Sequence, residues 1–442
     1  MNPALAQRVL IVENSRSYGD LLAEAMQQRL QLPVVRARTL AEAEVALAAH
    51  SDLFLILSGL VLPDAAPPAI IERLAQSGLP LVVVSGTYDE ALRDRVLGRS
   101  VVDYVIKSTP GHFDYLVWLA QRLDRNRRIG ALVVDDSPTA RLLVAELLSS
   151  YGFRVLMATG GTEGLQAIEQ DPGIRLVITD HEMPGMTGVE FSARLRERYA
   201  RDRLAIIGIS GASKSELVAQ FLKNGANDFL HKPFSREEFF CRVSQNVDNL
   251  ELIGTLQDLA TRDFLTGLSN RRHFFELAGK RLEALRMQGK PAVIAALDID
   301  HFKKINDTWG HDGGDLALKT LARAMQAAMR ADDLLARFGG EEFVVLAGGF
   351  DIDTAWAWFE ALRERIAALR VELPDGRSFA LTTSIGLCWI GPASAAPLHA
   401  LLNESDRQLY LAKAGGRNRV EVVDAEQSAA VGIQPAGTPP VE

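Results

Sequence analysis

The stretch RADDLLARFGGEEF, residues 330–343, decides how the rest of this 442-residue chain is understood. Two apolar segments meet at Gly339-Gly340 in the pattern of a hairpin, with Glu341 and Glu342 directly after. Paired glycines open a tight turn and remove the Cβ atoms that would keep a phosphate away from the backbone. Two carboxylates at such a turn can hold a divalent cation, which a triphosphate brings with it. A bare GGEE tetrapeptide is most often only a hairpin with solvated acids, so the surrounding chain has to decide.

Length and composition set the frame. A chain of 442 residues accommodates about three domains. Hydrophobic residues at 48% and charged residues at 24% describe a globular protein with ample core. The net charge of −8 and the lack of a basic stripe argue against nucleic acid as a partner. Cys241 and Cys388 lie far apart without metal-ligand spacing, as free thiols of a cytoplasmic protein would. The N-terminal MNPALAQRVLIVE has no long apolar segment, and no run of 18 apolar residues occurs. The expectation is a cytoplasmic protein with no membrane span, reached by signals through soluble partners.

From residue 8 to residue 232, short β-branched runs alternate with helical patterns, and the series is written twice. RVLIV (8–12), LFLIL (53–57), LVVVS (81–85) and DYVIK (103–107) return as ALVVDD (131–136), LVITD (176–180), IIGIS (206–210) and DFLHK (228–232). Ser85 to Lys107 and Ser210 to Lys232 have the same spacing of 22 residues. Apolar strands separated by amphipathic helices predict doubly wound parallel sheets, with chemistry at the carboxyl ends of the strands. In the second copy those ends carry Asp135 and Asp136, Asp180, Ser210 and Lys232. Three converging carboxylates repel unless a cation is present, which points to Mg²⁺; Lys232 and Ser210 would receive added phosphate charge.

This set, with MPG after Asp180 and KP at Lys232-Pro233, resembles the phosphoacceptor (receiver) domain of two-component response regulators over residues 129–248. The resemblance implies phosphorylation of Asp180 by a histidine kinase or phosphotransfer protein. It also implies Mg²⁺ held by Asp135, Asp136 and the carbonyl of Glu182. Phe229 matches the family's aromatic switch position, although a plain core aromatic fits it equally. The first copy, residues 7–125, departs from the pattern: Gly59 stands where Asp180 has its counterpart, and the acid pair is reduced to Glu13-Asn14. It reads as a pseudo-receiver kept for packing or dimer contacts, or alternatively as a binder of some ligand in the vacated acidic pocket. Between 249 and 261 a helical connector is expected, with Phe240, Val243, Val247 and Leu250 forming its preceding apolar stripe and Gly254 weakening it.

Three further stretches give the opening motif its context: DFLTGLSNRR (263–272), IAALDIDHFKKINDTWGHDGGDLAL (294–318) and DRQLYLAKAGGRNRV (406–420). With GGEEF they resemble the GGDEF family of diguanylate cyclases over residues 262–424, an α+β fold, and the whole chain resembles response regulators of the receiver–receiver–GGDEF, or PleD, type. The roles of its two receivers are exchanged relative to that type. The resemblance implies that Asp298, Glu341 and the carbonyl of Ile299 bind Mg²⁺ under the triphosphate of GTP, with Glu342 assisting. Glu341 would also accept the proton of the attacking 3′-hydroxyl. Asn306 and Asp315 would read the guanine edge and His311 would line the pocket. Lys303, Lys413 and Arg417 would answer phosphate charge. Arg330 and Asp333 match the family's RxxD product-inhibition site, with Arg363 or Arg365 as candidate partners. The implied activity joins two GTP into cyclic di-GMP in a homodimer. A catalytically silent sensor of GTP or cyclic di-GMP is the alternative, though such members usually lose the acids kept here. The tail, 425–442, has no periodicity and is expected to be disordered.

Overall fold

The computed structural model describes residues 8–86, 101–211 and 215–426. Of the tail expected over 425–442, residues 427–442 lie outside the described residues. The chain divides into two compact units, Met1–Gly254 and Thr255–Glu442.

The first unit holds two parallel five-stranded sheets. Strands β1 (Arg8–Val12), β2 (Val34–Ala37), β3 (Leu53–Gly59), β4 (Leu81–Ser85) and β5 (Val101–Ile106) lie in the order β2-β1-β3-β4-β5. The second sheet repeats that order with β6 (Gly130–Val134), β7 (Arg154–Ala158), β8 (Ile174–Asp180), β9 (Ala205–Ser210) and β10 (Asp228–His231). In this topology the chain switches direction between the first and third strands, and the crevice beyond their carboxyl ends is where ligands bind. Strands β1, β3, β4, β6 and β9 are buried almost throughout, which is why they read as continuous apolar runs. The first strand of the second copy stops at Val134, not at Asp136 as expected. Ser137 caps the helix Pro138–Ser150 and its N–H is taken by Asp135 Oδ1 at 2.9 Å, so both acids belong to the turn beyond the strand.

One apolar cluster runs through both sheets' helices, including Leu119 and Leu123 of helix His112–Asn126, Leu147 and Leu148, and Phe240, Val243 and Val247 of helix Arg236–Thr261. Within it lies a buried cation. Arg122, 2% exposed, donates to Asn126 Oδ1 (2.8 Å), Asp248 Oδ1 (2.7 Å) and both oxygens of Glu251 (2.9 and 3.0 Å). Asn126 in turn donates to the carbonyl of Tyr151 at 2.8 Å. The helix Arg236–Thr261 runs its 26 residues without interruption at Gly254. Its buried side ends at Leu250; beyond it Leu252, Leu256 and Leu259 are 58%, 55% and 67% exposed, a stripe at steps of four and three.

The second unit is built on a six-stranded mixed sheet, order β11-β13-β14-β12-β17-β18. Its strands are β11 (Ser269–Asn270), β12 (Ala292–Ile299), β13 (Leu334–Gly339), β14 (Glu342–Gly348), β17 (Thr383–Ile390) and β18 (Val420–Asp424); a short ladder pairs β15 (Val371–Glu372) with β16 (Ser378–Phe379). All eight residues of β12 are buried, with separate apolar clusters on its two faces. The expected hairpin forms: β13 and β14 pair antiparallel and turn at Gly339-Gly340.

Removing the Arg122 side chain leaves Asp248 and Glu251 without their shared donor in a half-buried setting. Arg122→Ala should lower the unfolding free energy of the first unit by about 2–4 kcal/mol, as for hydrogen bonds to charged groups and broken buried pairs. Urea unfolding of the isolated variant and wild type checks this, and a loss below about 0.5 kcal/mol would show that apolar contact alone joins these helices.

Candidate functional site

The acids of the second unit gather where β12 ends. Asp298, 4% exposed, lies opposite Glu342 on one side and Ser384 on the other in the strand register. Lys413, in the last turn of helix Leu398–Ala414, places Nζ 2.8 Å from Asp298 Oδ2. Burial, aided by the charges of Glu341 and Glu342 and opposed by Lys413, leaves the Asp298 carboxyl pushed up to about 6. One lysine therefore faces three carboxylates. The like charge around Asp298 is the kind of repulsion a hard divalent cation relieves, although among the described residues no three His, Cys, Asp or Glu side chains stand together as a ready metal-ligating group.

The turn beside them is held from behind. Gly339 and Gly340 adopt φ of 148° and 50°, conformations that favour glycine. Arg337 donates Nε and Nη2 to the Gly340 carbonyl (3.0 and 2.6 Å) and Nη1 to both oxygens of Asp263 (2.9 and 3.1 Å). Asp263 also accepts from the backbone and hydroxyl of Thr266 at 2.9 and 2.6 Å. Burial works to raise the Asp263 carboxyl, but these bonds hold it below the ordinary value. The sequence marked DFLTG as a signature only. Its Asp–x–x–Thr spacing, that of a side chain closing its own turn, was the available signal.

Lys303, Asn306, His311 and Asp315 all lie on helix Phe302–Ala328, which Gly310 interrupts with φ 73° and ψ 172°. A Cβ at Gly314 would stand 1.9 Å from Asn306 Oδ1, so Asn306 packs on the Gly314 backbone beside Asp315. Asn306 thus lies against the residue that precedes Asp315 in the chain. Lys303 and His311 are exposed, and Arg417 sits in the turn after helix Leu398–Ala414 at φ 64°.

Arg330 and Asp333 are joined by two side-chain bonds, both 3.1 Å. The Arg330 guanidinium also donates to the Gly348 carbonyl (2.8 Å) and lies 4.3 Å over the Phe350 ring. The two candidate partners lie on one helix. Arg363 is engaged by Glu360 and by Asn418 Oδ1 (2.7 Å), and Arg365 is exposed on the same helix, Ile352–Ala367. The arginine that reaches this loop is Arg281, 3.3 Å from Asp332, which sequence reasoning missed because the contact spans 51 residues.

In the second copy, Lys232 Nζ lies 2.6 Å from Asp180 Oδ1 and 3.0 Å from Asp135 Oδ2. Asp180 Oδ2 accepts the Glu182 N–H at 2.7 Å. Asp136 is exposed at the rim, Ser210 is buried, and its carbonyl accepts the Lys232 N–H at 2.8 Å. Phe229 is buried against Phe221 and His231, with ring centroids 5.3 and 4.9 Å away. The first copy answers the same geometry differently. Glu13 Oε2 lies 2.7 Å from Lys107 Nζ and 2.7 Å from where a Cβ at Gly59 would be, while Oε1 accepts the Ser15 N–H at 3.0 Å. The pocket expected to be vacated is filled by Glu13, whose extra methylene lets one carboxylate take both positions.

A parallel α/β sheet with a lysine-bridged acidic crevice, followed by a mixed sheet carrying the GGEEF turn, defines a response regulator with a GGDEF output domain. The family model "Diguanylate cyclase, GGDEF domain" matches residues 260–419, and "Response regulator receiver domain" matches residues 131–244. Response regulator PleD of Caulobacter vibrioides is 31% identical over 323 residues, spanning 68% of this chain and 71% of PleD. Diguanylate cyclase DosC of Escherichia coli is 25% identical over 371 residues, 80% of this chain and 76% of DosC. A solved "probable two-component system response regulator/GGDEF domain protein" is 40% identical, with a TM-score of 0.51, covering 55% of this chain and 99% of its own. The chain belongs to the PleD family of response regulators, with a GGDEF diguanylate cyclase domain.

Because the folded Asp298 holds its proton up to about 6, above the ordinary carboxylate value, the native state binds more protons than the unfolded one between those limits. Stability should therefore fall as pH rises from about 4 to about 6, by roughly 2–3 kcal/mol without a divalent cation. Asp298→Asn should remove that part of the decline, and Mg²⁺ should offset it in the wild type. Thermal unfolding across pH, with EDTA or with Mg²⁺, reads the effect; identical profiles for both proteins would contradict it.

Proposed function

We propose that this chain is a phosphorylation-activated diguanylate cyclase, joining two GTP into cyclic di-GMP and two pyrophosphates as a homodimer. The observation that carries the reading is the gathering of Asp298, Glu341, Glu342 and Lys413 at the end of β12 beside a glycine turn open to a phosphate chain. Asn306 and Asp315 offer an amide and a carboxylate to guanine, whose N1–H and N2 amine a carboxylate accepts and whose counterpart in adenine it would not. Lys303, Lys413 and Arg417 are the cations assigned to the phosphates.

In the proposed reaction each 3′-oxygen bonds to the α-phosphorus of the facing GTP, the α–β bridging bond breaks, and pyrophosphate leaves with its electron pair. Glu341 accepts the hydroxyl proton. Mg²⁺, held by Asp298, Glu341 and the Ile299 carbonyl, would supply charge neutralisation to the triphosphate. Each domain has one GTP site, so two copies must face each other, and positioning supplies much of the rate. The exposed stripe Leu252, Leu256 and Leu259 has the spacing of a coiled-coil seam and supports a homodimer through the connector.

Control is assigned to two places. Asp180, with Asp135, Asp136 and the Glu182 carbonyl as an Mg²⁺ site, is the phosphoacceptor for a histidine kinase or phosphotransfer protein. Phosphate there adds about 1.5–2 negative charges beside Lys232 and Ser210, and Phe229 would follow them. Arg330 and Asp333 are assigned to product inhibition. Their fork is already formed and stacked on Phe350, so cyclic di-GMP would meet an ordered guanidinium.

Incubation of the purified protein with GTP and Mg²⁺, followed by nucleotide chromatography, tests the reading; no cyclic di-GMP under any condition would overturn it. Asp298→Ala and Glu341→Ala should each reduce turnover at least tenfold while leaving thermal unfolding cooperative. Beryllofluoride should raise the wild-type rate, and Asp180→Asn should abolish that rise without changing the basal rate. Stimulation that survives in Asp180→Asn would move the phosphoacceptor elsewhere.

A further inference from the structure

Asp300 is a buried carboxylate to which nothing above gives a task. It is 5% exposed, two residues past Asp298 and just beyond the end of β12. Its Oδ1 accepts the Ser384 hydroxyl at 2.6 Å, and its Oδ2 accepts the Thr382 hydroxyl at 2.8 Å. The remaining bond is the informative one: Oδ2 also accepts the backbone N–H of Asn418 at 3.0 Å, across 118 residues. Asn418 is gripped a second time, by Arg363 Nη1 on its side-chain oxygen at 2.7 Å.

Those two grips hold a turn that the chain would not adopt unaided. Helix Leu398–Ala414 ends in Gly415-Gly416, and the following Arg417 and Asn418 have φ of 64° and 46°. Two consecutive non-glycine residues in the left-handed region persist only where their surroundings over-determine them. Arg417 itself bonds the Ala412 carbonyl through its N–H at 3.0 Å, which closes the helix end but leaves the turn's far side to Asp300 and Arg363. The Arg417 side chain leaves the backbone from inside this clamp.

We propose that Asp300 is a positioning residue for the cyclase reaction, fixing the Arg417–Asn418 turn to the end of β12 so that Arg417 is aimed at the phosphates of GTP. Asp298 and Asp300 then divide the work of one strand end. The first faces Lys413 and the metal-binding acids, and the second anchors the backbone that carries the arginine. The inference rests on the cyclase reading and deepens it.

The test is a double-mutant cycle on the full chain, measuring kcat and KM for GTP and the affinity for a non-hydrolysable GTP analogue. Asp300→Ala should lower kcat/KM by about ten- to a hundredfold, the scale of a misplaced catalytic group. It should divide that loss between KM and kcat as Arg417→Ala does. The double variant should be no worse than Arg417→Ala within about twofold, since Asp300 acts through that arginine. Asp300→Asn, whose amide oxygen can still accept the Asn418 N–H, should recover most of the activity. Ser384→Ala, which removes only one donor, serves as a milder variant should Asp300→Ala fail to fold, and its smaller loss should also vanish in the Arg417→Ala background. Losses that multiply in the double variants, or full activity in Asp300→Ala, would overturn the positioning role even when the wild type makes cyclic di-GMP. A wild type that makes none fails at the cyclase reading itself.

Discussion

Carboxylates crowded at the end of a sheet have to be answered by a cation, and all three large sheets of this protein meet that constraint with a lysine. The pairs are Glu13 with Lys107 at 2.7 Å, Asp180 and Asp135 with Lys232 at 2.6 and 3.0 Å, and Asp298 with Lys413 at 2.8 Å. Each lysine comes from an element separated by dozens of residues from its acid, so each pair also ties the edge of a crevice together. Side chains of Glu13, Asp135 and Asp298 are nearly excluded from water, where an unpaired charge would be costly. The balance differs among the three. A single carboxylate meets Lys107, two meet Lys232, and Lys413 faces Asp298 with Glu341 and Glu342 nearby. The excess negative charge grows in that order, and with it the room for a divalent cation.

The duplicated half shows how small a change moves a sheet from one state to another. With Asp180 and Asp135, the second copy has two short acids, one closing the third strand and one in the turn just beyond the first. In the first copy the acid of the third strand is gone, and the acid of the first is one methylene longer. Glu13 then reaches over Gly59 to Lys107 and keeps the bond to the N–H two residues on, as Asp135 does with Ser137. A side chain at position 59 would have to displace the Glu13 carboxylate, because even a Cβ there lies 2.7 Å from Glu13 Oε2. The lysine is satisfied without added phosphate, and there is no side chain at position 59 to accept one.

What the sequence made legible was whatever depends on neighbours in the chain. Apolar runs revealed four strands of each parallel sheet but not the edge strands Val34–Ala37 and Arg154–Ala158, which are only partly buried, and the glycine pair revealed the hairpin turn; Asp298 and Asp180 were recognisable as polar residues closing apolar strands. What stayed hidden depends on contacts across the fold. Arg337 reads as an ordinary strand residue until Asp263, 74 positions away, is seen to hold it against the turn. Arg363 and Arg365 could not be told apart as partners of the RxxD loop by sequence, and the engagement of Arg363 by Glu360 and Asn418, like the pairing of Arg281 with Asp332, appears only in the fold. The break at Gly310 was likewise unreadable, since a glycine inside a helical pattern only weakens a helix on average. Its positive φ, not its composition, separates the segment bearing Lys303 and Asn306 from the one bearing His311 and Asp315.

The geometry of the candidate active site follows from the register of one strand. β12 is buried along its whole length and pairs antiparallel on both sides, with β14 and β17. Those pairings set Asp298 between Glu342 and Ser384. Side chains alternate along a strand, so a slip of one residue would turn every apolar residue of β12 to the opposite cluster and move Asp298 away from Lys413. The apolar clusters on both faces forbid that slip, and the acids at the end of β12 inherit their accuracy from it. Charge that repels itself is thus held in place by packing that contains no charge. The cost of crowding Asp298, Glu341 and Glu342 is borne by the core between the sheet and its helices, not by the turn that displays them.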